Sequence, residues 1–359
     1  MARWPDSSFW AGKRVLVTGH TGFKGSWLTF LLADLGARVR GYSLRPETSP
    51  SIFDALALSE LCEHQLSDIR DRSALDSCVA DFEPDIVFHL AAQSLVLRSY
   101  REPSETLATN VQGTVNLLEA CRASDKVRAI VVVTSDKCYL NREWLWPYRE
   151  DEPLGGDDPY SASKACAELV VHAWQHSFFR ESRICLASAR AGNIFGGGDW
   201  SENRLIPDAV RAFGTGGALV IRRPEAVRPW QHVVNPLAGY LLLAEHLWNK
   251  GLAFAKPFNF GPQAENILKV RDLVCLFAKA WGGSVNIEEN SDPAAPHEAT
   301  YLTLDSTRAR SSLGWQPDED LTSALTLTAA WYKAFYNKAS SSELRRLTRQ
   351  ALLRQSETD

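Results

Sequence analysis

The chain has 359 residues, 45% of them hydrophobic and 23% charged, and a formal net charge of −4, which is ordinary for a folded enzyme of one or two domains. A weakly acidic chain without a long basic run is a poor ligand for nucleic acid or an anionic membrane, and no apolar stretch reaches the ~18 residues of a membrane span. The seven cysteines are scattered without CxxC or His-Cys spacing, which argues against a metal site or a disulfide framework; with no apolar signal run behind Met1, a cytoplasmic protein is expected.

Arg14–Thr18 is a short β-rich run of the kind that forms a buried parallel strand. It leads into Gly19-His-Thr-Gly22-Phe-Lys-Gly25 and an apolar helical pattern through Leu35, with Gly36 as the stop. Glycines at such a junction let the backbone turn tightly and approach a pyrophosphate, whose charge rests on the amides of the helix start. Gly19, Thr21, Gly22, Phe23, Lys24 and Gly25 are therefore candidate cofactor contacts, although GxxGxxG differs from the GxGxxG of ordinary dehydrogenases.

The next strand, Arg38–Ser43, should end at the adenosine ribose. An acid there would bind both ribose hydroxyls of NAD, and a base would suit the extra phosphate of NADP. The sequence reads Tyr42, Ser43, Leu44, Arg45, with no acid, so Arg45 is either an NADP contact or an exposed loop arginine. Asp68 and Ile69, after a further strand, are candidates for lining the adenine. Residues 85–92 read as a fourth strand ending in Leu90, Ala91 and Ala92, where a cofactor passes close, and Thr109 precedes a helical pattern over 110–121 as a further contact. Ala129–Val133 is the fifth strand and delivers Thr134, Ser135, Asp136 and Lys137 to its carboxyl end, where open α/β sheets bind ligands. The alternation of strand and helix predicts a Rossmann-type doubly wound parallel sheet, an α/β fold.

In Asp157-Asp158-Pro159-Tyr160-Ser-Ala-Ser-Lys164, an aspartate cap and a proline at the first position open a helix. Tyr160 and Lys164 then share one face, and an ammonium beside a phenol favours the phenolate, so the pair can take a proton from an alcohol. After residues 183–188 the alternation weakens. Gly196-Gly-Gly-Asp-Trp200 and Gly214-Thr-Gly-Gly217 mark loops, residues 233–248 an apolar helix, 258–261 a strand and Val270–Trp281 an amphipathic helix. The expected division is a dinucleotide-binding domain of 1–190, with 233–261 packing back on it. A smaller interleaved substrate-binding cap takes 191–232 and 262–335, and a polar tail without an apolar face, expected as a frayed helix or disordered, takes 340–359.

GxxGxxG, His89-Leu-Ala-Ala, the Thr-Ser strand end and YxxxK together resemble the extended short-chain dehydrogenase/reductase superfamily. Within it, Gly19-His-Thr-Gly-Phe-Lys-Gly-Ser-Trp27, Thr134-Ser-Asp-Lys-Cys-Tyr139, Arg190-Ala-Gly-Asn-Ile-Phe-Gly-Gly-Gly-Asp-Trp200 and Arg228-Pro-Trp-Gln-His-Val233 resemble the CDP-glucose 4,6-dehydratases. The similarity runs from about Phe9 to about Tyr332. It implies NAD as cofactor, CDP-glucose as substrate, a hydro-lyase reaction serving deoxysugars of a surface polysaccharide, and a homodimer or homotetramer paired through the helices around 110–121 and 160–176.

The resemblance also implies roles. Tyr160 deprotonates the sugar 4-hydroxyl, Lys164 lowers the tyrosine pKa and holds the nicotinamide ribose, and Thr134 shares a hydrogen bond with the same hydroxyl. Asp136 is the candidate acid for water loss. Lys137 stands where related dehydratases carry glutamate; it acts as base at C5 only if its amine is neutral, and otherwise orients water, stabilises the enolate or pairs with Asp136. Asn193, Arg204 and Arg228 resemble residues that hold the substrate diphosphate. The other readings are a dTDP- or GDP-sugar dehydratase or UDP-sugar 4-epimerase of the same fold, and a non-catalytic dinucleotide sensor, which could dispense with Tyr160, Lys164 and Asp136.

Overall fold

Short apolar runs separated by helical segments pair side by side in this chain. The computed structural model describes residues 4–283, 285–290, 300–317 and 320–356. In it β1 (Arg14–Thr18), β2 (Arg38–Ser43), β3 (Glu63–Leu66), β4 (Ile86–His89), β5 (Ala129–Val133), β6 (Cys185–Ala191) and β7 (Phe258–Phe260) make one parallel sheet. Their order is β7-β6-β5-β4-β1-β2-β3, with Val15 of β1 beside both Val39 and Ile86. The winding direction reverses between β1 and β4, which leaves a crevice at the carboxyl ends of those strands.

Successive strand side chains point to opposite faces. Val15 and Val17 therefore join Trp27 and Leu31 of helix Phe23–Asp34 and Leu237 and Leu241 of helix Val234–Lys250 in one apolar cluster. Leu16 joins Leu75 and Val79 of Arg72–Phe82 and Leu117 and Cys121 of Gly113–Arg122 in another. A sheet covered on both faces needs strands that are apolar throughout, which is why β5 reads as an unbroken run. Later in the chain, Val234–Lys250 packs back on β5 and β6, and β7 adds to the sheet edge with Phe258 beside Ala189. Helix Leu205–Thr215 and strand Ala218–Ile221, which pairs in parallel with Asn286–Glu289, stand beside the carboxyl edge. Of the expected segments, residues 1–3, 284, 291–299, 318, 319 and 357–359 lie outside the described residues.

The expected frayed helix or disordered tail without an apolar face is corrected: Ser341–Ser356 is a helix docked by one buried face. Leu344, Thr348, Ala351 and Leu352 are buried and recur on one helical face. Trp331 Nε1 donates to Thr348 Oγ1 at 3.0 Å, and Arg345 donates to the carbonyls of Leu56 and Ala57 at 2.6 and 2.7 Å. The stripe is narrow and set among Arg345, Arg346 and Arg349, so the segment reads as polar although one side of it belongs to the core.

Behind the carboxyl edge, Glu168 of helix Pro159–Trp174 and Arg190 of β6 form a buried ion pair at 2.6 Å. Glu168 also accepts hydrogen bonds from Thr134 Oγ1 and, at 2.7 Å, from Ser188 Oγ. Arg190 donates to the Tyr139 hydroxyl at 2.8 Å and the Glu150 carbonyl at 3.0 Å. Burial by itself would raise the Glu168 pKa, but Arg190 and the two hydroxyls hold it below the ordinary carboxylate range. A carboxyl whose folded pKa is depressed adds stability above its unfolded pKa, and that stability is lost as pH falls through the folded value.

Two outcomes follow for the fold. Glu168→Gln should lower the unfolding free energy by about 3–5 kcal/mol, because it strands the Arg190 charge, and should flatten the acid limb of the stability–pH curve below the carboxylate range. Denaturant melts at several pH values check both. Leu344→Ala should cost about 2–5 kcal/mol in the same melts, whereas an unchanged midpoint would mean that the last helix does not belong to the core.

Candidate active site

Thr18 ends β1 by tying it to β4. Its Oγ1 lies 2.7 Å from His89 Nδ1 and accepts from the amides of Leu90 and Ala91, both at 3.2 Å. The chain then turns at Gly19 with φ +76°, and a Cβ there would lie 2.7 Å from the Ala91 nitrogen. At Gly25 a Cβ would lie 2.0 Å from the Gly19 carbonyl oxygen. Both positions require glycine. No side chain caps the Phe23–Asp34 helix, so its first amides are left for a ligand, and Gly22 to Gly25 line the adjoining cavity. These features fit a dinucleotide diphosphate.

The crevice opens into a cavity of about 740 Å³. Every candidate contact lines it: Gly19, Thr21, Gly22, Phe23, Lys24, Gly25, Arg45, Asp68, Ile69, Leu90, Ala91, Ala92 and Thr109 on one side, Thr134, Asp136, Lys137, Tyr160 and Lys164 at the centre, and Asn193, Arg204 and Arg228 on the other. Arg45 is exposed at the end of β2. Asp68 is engaged by Arg70 at 2.6 Å, and its carbonyl accepts from the Tyr42 hydroxyl at 2.9 Å, which fixes the wall on which Ile69 lies. Thr109 sits in the π-helical turn Ala108–Gln112. Arg204 reaches Asp199 at 3.1 Å and Ser94 at 3.2 Å, and buried Arg228 donates to the carbonyls of Val227 and Thr300.

Tyr160 is placed by the helix start that its sequence encodes. Asp158 Oδ1 accepts from the Ser161 amide at 2.9 Å, Pro159 occupies the first turn, and the Tyr160 amide donates to Ser99 Oγ at 3.2 Å. Burial pushes the phenol up to about 12, opposed by a hydrogen bond with Ser135 and by the charge of Arg204. Lys164 is pushed down to about 8 by burial, with Glu168 acting the other way. Its ammonium donates to the Val133 carbonyl at 3.5 Å. A lysine side chain is long enough to reach past its neighbour one turn away.

Asp136 is buried and its pKa is raised, chiefly by that burial, against the pull of Lys137, Ser135 and Arg228. Its Oδ1 accepts from Ser135 Oγ at 2.9 Å, while Oδ2 is buried without a hydrogen-bond partner among the described residues. A Cβ on Gly192 would come within 2.9 Å of that oxygen, so glycine keeps the space beside it open. Lys24 extends from the glycine loop to the Tyr240 hydroxyl at 3.4 Å and is pushed down to about 7 by burial, then by the charges of Arg204 and Lys164. Lys137 is half-buried beside Asp136.

One expected contact is corrected. Thr134 continues the alternation of β5 onto the face covered by Pro159–Trp174, so its hydroxyl donates to Glu168 rather than standing beside Tyr160. The group beside the tyrosine is Ser135, which the sequence places at the carboxyl end of β5 without marking it for this role. Counting alternate positions from Val133 would have found it. Glu168 lies four residues beyond Lys164 on the same helix face and was also missed, although its spacing was visible. Trp200 packs against Trp331, Tyr332 and Phe335, and Trp230 donates to the Leu268 carbonyl at 3.1 Å, so both are core residues that also line the cavity.

Comparison with known proteins matches this geometry. The family model described as GDP-mannose 4,6 dehydratase covers residues 16–328. A CDP-glucose 4,6-dehydratase of Salmonella typhimurium is 49% identical over 335 residues, 92% of this chain and 93% of that protein. The dTDP-glucose 4,6-dehydratase of Streptomyces venezuelae, solved with NAD bound, superposes with a TM-score of 0.74 at 26% identity over 91% of this chain and 98% of that one. A UDP-glucose 4-epimerase from Thermotoga maritima has the same fold, with a TM-score of 0.78 at 24% identity over 90% of this chain and 99% of that one. With the family match running through nearly the whole sheet and the elements beside it, the chain belongs to the GDP-mannose 4,6 dehydratase family.

Proposed function

We propose that the chain is a CDP-glucose 4,6-dehydratase that converts CDP-glucose to CDP-4-keto-6-deoxyglucose and water. The observation that carries the reading is the meeting of Tyr160, Ser135 and Asp136, whose Oδ2 has no hydrogen-bond partner among the described residues, in one cavity with the uncapped glycine loop, on a chain 49% identical to an enzyme of that name. The loop amides, Asp68, Ile69, Ala91 and Thr109 would hold NAD, which would supply the hydride acceptor for C4 and the hydride donor for C6. Arg45 we read as an exposed rim residue and not as the mark of NADP.

Tyr160, with Ser135 on its hydroxyl, takes the proton of the sugar 4-hydroxyl as the C4 carbonyl forms. That carbonyl acidifies the C5 hydrogen. The C5 proton passes to a base beside it, for which Lys137 is our candidate, while Asp136, as the neutral acid, protonates the C6 hydroxyl, so the C6–O bond breaks and water leaves. As C6 takes the hydrogen that left C4, the same base returns its proton to C5; the product keeps its 4-ketone, so the proton that Tyr160 took passes through solvent to Asp136, and both groups are reset. The raised pKa of Asp136 supports its part, because a carboxyl must be protonated to donate. Epimerisation needs no acid at that place, so Asp136 favours dehydration. Arg204, Arg228 and Asn193 hold the diphosphate, within a cap of 191–232 and 262–335 that closes on the dinucleotide domain. Exposed Leu107, Leu169 and Phe178 on the helices around the site support pairing with a second copy. Among the described residues no helix is long and apolar enough to cross a membrane, and we read the enzyme as cytoplasmic, making a precursor of surface-polysaccharide deoxysugars.

The direct test supplies CDP-glucose with NAD or NADP and follows the 4-keto-6-deoxy product by its absorbance in alkali and by the mass loss of one water. Turnover with NAD is expected; activity confined to dTDP-, GDP- or UDP-sugars would move the substrate, and silence on all of them would favour a dinucleotide sensor. Tyr160→Phe should lower kcat by about 10²–10⁴-fold, and Ser135→Ala should slow the same oxidation step more than Thr134→Val. Asp136→Asn should still oxidise C4 but lose water slowly, so reduced cofactor accumulates in a single turnover; normal turnover by this variant would remove Asp136 from the chemistry.

A further inference from the structure

At the end of the cavity away from the glycine loop, helix Leu205–Thr215 and strand Ala218–Ile221 form a wall that the proposed chemistry does not use. Arg204 precedes the helix, and its charge reaches Tyr160 and Lys24, which places it between the reacting centre and this wall. One turn further along the helix stands Asp208. Arg211 donates to Asp208 Oδ1 and is itself anchored on the carbonyls of Trp200 at 3.0 Å and Ser201 at 3.3 Å, so the carboxylate is held in one orientation. Oδ2 has no hydrogen-bond partner among the described residues. Leu219 and Ile221 of the strand are buried and Val220 is exposed, and Arg222 follows the strand as an exposed residue. Arg222 makes no hydrogen bond or ion pair among the described residues, lines the cavity, and is near enough to Asp208 for its charge to act on that carboxyl. Leu205 and exposed Val220 line the same end and offer apolar surface to a flat ring.

We infer that Asp208 and Arg222 read the base of the nucleotide and select cytosine. The inference rests on the reading of the chain as a CDP-sugar enzyme and names the residues behind that choice. Cytosine presents two adjacent acceptors, O2 and N3, and one donor, the 4-amino group. The guanidinium fork of Arg222 donates to the two acceptors, and the free oxygen of Asp208 accepts from the amino group. Uracil and thymine reverse two of these three positions. Their N3–H would face the guanidinium and their O4 would face the carboxylate, so the pair both attracts cytosine and repels its competitors. No covalent step is involved, and the diphosphate stays with Arg204 and Arg228.

Calorimetric titration of the whole protein with CDP, UDP and dTDP tests the assignment. The unaltered protein should prefer CDP, and Asp208→Asn and Arg222→Met should each cut the CDP-to-UDP affinity ratio by about 5–100-fold. A probe altered on the ligand side covers the case in which a variant does not fold. The 5′-diphosphate of pyrimidin-2-one riboside, which lacks the 4-amino group, should bind the unaltered protein about tenfold or more weakly than CDP. Turnover of CDP-glucose with both variants keeping the full preference for CDP, or with the deaminated probe binding as well as CDP, would overturn the assignment and leave the proposed function standing. Preference of the unaltered protein for UDP or dTDP, with turnover of that sugar instead, would overturn both.

Discussion

The buried Glu168–Arg190 pair is the constraint on which the site depends. Its partners come from three elements whose ends meet at the reacting centre: Thr134 after β5, Ser188 and Arg190 in β6, and Glu168 in helix Pro159–Trp174. A buried ion pair contributes little net stability against an apolar replacement, but losing one partner leaves a charge stranded in the interior. The pair therefore acts as a registration device. It sets helix Pro159–Trp174 against the sheet, and that setting decides where Tyr160 and Lys164 stand relative to Ser135 and Asp136.

Around that anchor the site holds an uneven set of charges. Lys164 is buried and Lys24 half-buried, and both are pushed down, to about 8 and about 7, while Tyr160 and Asp136 are pushed up. Desolvation drives all four towards their neutral forms, because a cavity lined by packed side chains solvates charge poorly. For the proposed dehydration this is useful at Asp136, which must be neutral to donate a proton. For Tyr160 the same effect opposes the chemistry, and Ser135 and Arg204 are the groups that offset it.

The fold was legible in the sequence because a parallel sheet covered on both faces leaves an unmistakable pattern. The bounds of β1, β2 and β5 follow the apolar runs, and the glycine loop follows the strand-to-helix junction. Contacts that depend on the backbone, such as Gly19 against Ala91, were readable for the same reason. What the sequence hid were matters of direction and reach. Thr134 and Ser135 are adjacent and chemically alike, and only the alternation of β5 separates the one that meets Glu168 from the one that meets Tyr160. The YxxxK spacing places two residues on one helical face but does not say that the Lys164 ammonium reaches the Val133 carbonyl. The last helix was hidden because its buried stripe is diluted by arginines that bind carbonyls and acids of segments distant in the chain.

The account turns on one claim: a single site oxidises C4, removes water across C5 and C6, and delivers the same hydride to C6. The measurement that tests it most directly uses CDP-glucose deuterated at C4, with the position of the label in the product read by NMR. Deuterium found at C6, with a proton from solvent at C5, is the result the account predicts. Deuterium retained at C4 of an epimerised sugar, or lost to solvent, would contradict it.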